Sequence, residues 1–125
     1  MNLKNAFLLN CLISGVFGLA LLIVPAELMR QYGIHLMPKA GIYIARLLGA
    51  SLIGIALVSW FASARATGDL RTNMALSFFI VDALGFIVSL MAMVDGVMNQ
   101  LGWSVVIMYL GLGLAFGYFS LVRKG

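Results

Sequence analysis

The chain has 125 residues, 63% of them hydrophobic and 10% charged, with a mean hydropathy of +1.09 and a formal charge of +4. Soluble domains carry about 45–50% apolar and about 25% charged residues, so an ordinary water-soluble core is excluded; a globule of this size would expose much of its apolar surface. The basic balance fits the loops of a membrane protein, and no basic helix or arginine-rich run points to nucleic acid as a partner.

A bilayer core about 30 Å thick needs roughly 20 apolar residues of helix. The first such segment runs from Ala6 to Val24 and holds no charge. It exceeds the h-region of a signal peptide and lacks an A-x-A-like site after it, so it reads as a helix of the mature protein. Pro25, which cannot donate to a helix ladder, is expected to end it. Within it Asn10 and Ser14 stand one turn apart on one face, and Gly15 and Gly18 allow close packing. Cys11, the only cysteine, has no intrachain disulfide partner and reads as a small buried hydrophobe.

Residues 26–40 form the longest connection. Its start is amphipathic, which predicts a short helix lying at the membrane surface, stopped by Gly33, with Pro38 ahead of the next span. His35, the only histidine, falls in this connection. One loop histidine is weak support for a haem or pigment, and it reads as a solvated residue. No His, Cys and carboxylate cluster has metal-ligand spacing.

The second span, Gly41 to Ala62, contains one charge, Arg46, which shares a helical face with Gly49, Ala50 and Ile53. A polar loop, Ser63 to Asn73, leads to the third span, Met74 to Val94. Its one charge is Asp82, on a face with Ala75, Phe78, Gly85 and Ser89. The short loop Asp95 to Gly102 lacks Lys and Arg, and the fourth span, Trp103 to Val122, is uncharged. Trp60 and Trp103 stand near span ends, where indole rings favour the interface.

Runs such as Leu19–Val24 do not alternate, so barrel strands are excluded and helices that satisfy their own backbone are expected. The chain is therefore read as all-α, a single transmembrane domain over residues 1–125 forming a four-helix bundle. Lys4, Arg65, Arg71, Arg123 and Lys124 fall on one side; Arg30 and Lys39 fall on the other. By the positive-inside rule both termini are cytoplasmic, in a multi-pass protein of the inner (plasma) membrane.

Charged groups within spans are expensive and usually face the bundle interior. Arg46 and Asp82, on faces rich in small residues, are both expected to point at other helices. At about 1.5 Å per residue, Arg46 lies roughly 8 Å and Asp82 roughly 18 Å below the outer span ends, a gap of about 10 Å that an arginine nearly bridges. With Asn10 and Ser14 they form the candidate intramembrane polar site. The bland alternative is that such buried polar groups set helix register and do nothing else. Ser51, Ser77, Ser89 and Tyr109 also fall within spans and are most simply satisfied by the backbone or a neighbouring helix. Gly49, Gly54, Gly113 and Gly117 are the candidate helix-packing positions, the last two as a GxxxG pair. Gly111–Gly117 is not a nucleotide loop, because no strand precedes it.

Pro25 after the first span, the amphipathic stretch ending at Gly33, and Ala45-Arg46-Leu47-Leu48-Gly49-Ala50 opening the second span carry a resemblance. In these stretches, and in its general plan, the chain resembles the small bacterial four-span membrane proteins of the DoxX-like and DUF4345-like groups. The resemblance implies a four-span fold and assigns no activity or catalytic residue. No catalytic or cofactor motif is apparent. The functions that fit are a non-catalytic accessory or structural subunit, packing with itself or with a larger membrane complex, and an oligomeric small-molecule or proton-coupled transporter using Asp82 and Arg46. A membrane enzyme or redox module finds no support in the residue pattern.

Overall fold

The computed structural model describes residues 2–122. Arg123 and Lys124, counted above for topology, lie outside the described residues. The chain is an all-α bundle: α1 (Leu3–Ile23), α2 (Pro25–Gln31), α3 (Lys39–Ala64), α4 (Gly68–Val94) and α5 (Gly102–Gly117), the last continued by a wider π-helical turn over Tyr118–Val122. Four helices, with α5 and its terminal turn counted together, are long and apolar enough to cross a membrane. The chain is thus a multi-pass membrane protein whose outer surface meets lipid.

Each element starts and stops for a local reason. The Asn2 side chain accepts the Asn5 N–H at 2.9 Å and caps α1. Pro25 occupies the first turn of α2, where its missing N–H is not needed. At the end of α2, Gly33 takes φ +87°, and the N–H groups of Gly33 and Ile34 return to the carbonyls of Arg30 and Met29. That pairing is a Schellman closure. The same closure ends α4, with Gly96 at φ +73° and the N–H groups of Gly96 and Val97 on the carbonyls of Met93 and Ala92.

Helix α4 begins at Gly68, well ahead of the apolar run from Met74, and the connection to α3 shrinks to residues 65–67. The polar residues assigned to a loop are instead helical. Arg71, on the first turns of α4, folds back onto α3: its Nε donates to the Ala62 carbonyl at 3.1 Å and a terminal nitrogen to the Ser63 carbonyl at 2.9 Å. Those carbonyls belong to the last turn of α3, where helix partners run out and a cation is favoured. Hydropathy alone cannot register such a cap.

The bundle is two antiparallel pairs. Most packing lies within α1–α3 and within α4–α5, while α3 and α4 barely touch. In the first pair the helices cross at glycines. A Cβ added to Gly49 would meet the Gly18 carbonyl oxygen at 2.7 Å, and one on Gly18 would meet the Gly49 carbonyl oxygen at 2.9 Å. In the second pair Gly117 lies under the Phe79 ring and Gly85 under the Tyr109 ring, while a Cβ on Gly113 would sit 3.4 Å from the Asp82 Cβ. Gly54 differs from expectation: it is exposed, with open space around it. It faces away from the bundle because Gly49 and Ala56, which bracket it, face inward.

The two pairs are joined at both ends. At the end bearing the N-terminus, Phe7, Phe78 and Phe116, from three different helices, meet with ring centroids 5.1–5.8 Å apart. Tilted and edge-on contacts of this kind are favourable beyond burial alone. Leu3, Ala62, Ala75 and Phe119 join them in one buried cluster. At the opposite end Asn99, in the α4–α5 connection, ties the pairs by hydrogen bonds. Its N–H donates to the Tyr32 carbonyl at 2.8 Å and its Nδ2 to the Gln31 carbonyl at 3.1 Å. Its Oδ1 accepts the Leu101 N–H at 3.0 Å. Asn99 thus satisfies two orphan carbonyls at the C-terminus of α2.

Candidate functional site

Between the aromatic end and the Asn99 clasp the two pairs stand apart and enclose a cavity of about 300 Å³. Its walls come from every helix. Ile13, Phe17, Leu52 and Met108 supply apolar surface, and Leu28 and Met29 of α2, with Tyr32 just after it, line its far end. Leu48 on α3 and Val81 and Val88 on α4 line it and are also exposed, so the cavity opens sideways between α3 and α4, toward lipid.

The polar residues of the wall are Asn10, Ser14, Tyr32, Asp82, Ser89 and Tyr109. The face read from sequence for Asp82 is the buried face of α4: Ala75, Phe78, Asp82 and Ser89 are its buried residues. Gly85, on the same face, receives the Tyr109 ring. Spacing of three, four and seven residues keeps these side chains on one side of the helix. Asp82 is 5% exposed, and its Oδ2 has no hydrogen-bond partner. Buried polar atoms are nearly always paired, so an orphaned carboxyl oxygen at mid-helix is the sharpest anomaly among the described residues.

Asn10 and Ser14 are likewise buried and face the cavity. The Asn10 Nδ2 donates to Ser59 Oγ across the α1–α3 contact at 2.8 Å. Ser59 is fully buried. Sequence reading did not single it out, because a lone serine in an apolar run looks the same whether it faces lipid or a partner. Ser77 does take the bland route, bonding back to the Asn73 carbonyl at 3.0 Å, and Ser51 is exposed.

Arg46 does not join the site. It is exposed and lies outside the cavity wall, on the side of α3 that also carries the exposed Ala50 and Gly54. Gly49, one residue from Ala50 and expected on the same face as Arg46, is buried against α1. The two residues belong to opposite edges of a broad face, and only the Gly49 edge packs. The carboxyl and the guanidinium are therefore not brought together, and among the described residues no Lys, Arg or His lines the cavity.

Asp82 and Tyr109 also border a second, shallower groove on the outer surface of α4 and α5, beside Phe79, Phe86 and Gly113. The missing side chain of Gly113 leaves Asp82 close to that surface. His35 is exposed, in the segment before α3, and Cys11 is half-buried away from the cavity. Among the described residues no group of three His, Cys, Asp or Glu could hold a metal ion. Comparison of the chain with known protein families, with curated proteins and with solved structures finds no match.

Proposed function

We propose that this protein is a non-catalytic membrane protein that holds a small, largely apolar molecule within the bilayer, in the cavity between its two helical pairs. The observation that carries this reading is the orphaned Asp82 oxygen in the wall of a 300 Å³ cavity. Ligand sites are mostly apolar hollows of roughly this size or larger with a few placed polar groups. A bundle whose only task is to fill space has no use for an unpaired carboxyl, because burying it costs free energy. The sideways opening between α3 and α4 supports loading from lipid. Transport would be the same site with turnover, and it would rest on Asp82, Asn10 and Ser14 without Arg46.

A second reading is an accessory or structural subunit, packing with itself or with a larger complex. It is favoured by Arg46, an exposed cation within a span beside the small residues Ala50 and Gly54. Kinship with the DoxX-like and DUF4345-like groups, and placement in the inner membrane with both termini cytoplasmic, belong to the proposal. They rest on the residues quoted for the resemblance and on the distribution of Lys and Arg.

Native mass spectrometry from mild detergent tests the cavity. The wild-type chain is expected to take up one molecule of 4-phenylbutanol. Ser14→Leu, which fills the cavity, is expected to lose that uptake, while Gly54→Leu, on the open face, keeps it. Equal uptake by all three would refute the reading, and a stable hetero-complex without uptake would favour the second.

A further inference from the structure

We infer that the molecule held by the cavity is a small lipophilic amine, its ammonium group set against the carboxylate of Asp82. The inference rests on the cavity reading above and specifies the chemistry of the ligand.

Charge comes first. An ionised carboxylate accepts hydrogen bonds and donates none, and Oδ2 of Asp82 has no donor among the described residues, so a bound cation is what would hold it in the charged form. The described residues offer no counter-charge either: no basic side chain among them lines the cavity, and Arg46 is exposed outside its wall. An anionic ligand would meet Asp82 as a like charge. A pure hydrocarbon would leave the oxygen unpaired in a drier site, where an unpaired polar atom costs most. An ammonium group supplies both the missing charge and the missing donor, and such charge-assisted bonds are the strong ones.

The rest of the polar lining agrees. Asn10 gives one of its two amide N–H groups to Ser59, and its carbonyl oxygen remains as an acceptor. The hydroxyls of Ser14, Ser89 and Tyr109 accept as readily as they donate. A primary ammonium has three N–H donors, one for the carboxylate and two for such oxygens. Phe17 and Tyr109 add aromatic rings to the wall, a residue type that attracts cations. At about 300 Å³ the cavity is at the small end of ligand sites, so the apolar body is small, a phenylalkyl or short alkyl group.

Three probes of one size separate the possibilities: 4-phenylbutylamine, 4-phenylbutanol and 4-phenylbutyrate, titrated by calorimetry into lipid nanodiscs with and without the protein. The amine is expected to bind the wild-type chain at least tenfold tighter than the alcohol, with the butyrate weakest. Asp82→Asn is expected to lower amine affinity at least tenfold and to leave the alcohol unchanged. If that variant fails to fold, the amine-to-alcohol ratio on the wild-type chain decides alone. Equal binding of amine and alcohol, both lost in Ser14→Leu, would overturn the amine inference while the cavity reading stands. No binding of any probe would overturn both.

Discussion

Gly49→Ala is a stringent test of how α1 and α3 are held together. The new Cβ would lie 2.7 Å from the Gly18 carbonyl oxygen, 2.8 Å from the Leu22 backbone nitrogen and 3.1 Å from the Leu21 Cβ. Ordinary contact begins near 3.4 Å, so the helices must separate by several tenths of an ångström. The nearest obstacles are backbone atoms, which no rotamer change can move aside. Overpacking of this kind costs about 1–3 kcal/mol, and a rigid backbone obstacle belongs toward the upper end. Against it stands the gain of alanine over glycine in a helix interior, about 0.5–1 kcal/mol. The expected net loss is about 1–2 kcal/mol. Gly54→Ala supplies the control, because a Cβ there meets nothing within 4 Å and only the helix gain remains. Its sign should be opposite. Reversible unfolding in mixed detergent micelles, followed by far-ultraviolet circular dichroism, measures both. If Gly49→Ala were as stable as Gly54→Ala, the glycine crossing would not be what positions the pair. Gly18→Ala approaches the same contact from α1, and its effect should be far from additive with Gly49→Ala.

Two further outcomes follow from named contacts. A double-mutant cycle on Asn10→Ala and Ser59→Ala should return a coupling of about 0.6 kcal/mol, the usual worth of a hydrogen bond between membrane helices, and a coupling of zero would mean that the bond does not form. Arg71→Ala should destabilise the bundle by about 1 kcal/mol and speed amide exchange in the last turn of α3; Arg71→Lys should not restore it, since one ammonium cannot reproduce a guanidinium donating from two nitrogens to adjacent carbonyls.

Much of this molecule follows from composition. An apolar run of some twenty residues must close its own hydrogen bonds in lipid, so four spans, their helical state and the turn at Pro25 need no tertiary information. Helical spacing also identified the buried face of α4 around Asp82 and the pairing of Asn10 with Ser14 on α1, because a costly group must share its side with the residues that shelter it. The outcome for Arg46 shows where that reasoning stops. Spacing put it beside both Gly49 and Ala50, but a face spanning more than a quarter of a helix can be split between a neighbour and lipid. Which part packs depends on where α1 crosses, and that crossing is set by the Gly18–Gly49 approach.

In lipid the two sides of a helix are equally apolar, so hydropathy cannot choose between them. The partner of Asn10, the cap that Arg71 places on α3, the clasp made by Asn99 and the open face of Gly54 all belong to the assembled pairs. The cavity is the clearest case. No residue encodes it alone; it exists because the two helical pairs meet at their ends, through the Phe7–Phe78–Phe116 contact and Asn99, and not in the middle, where Asp82 is left facing the gap.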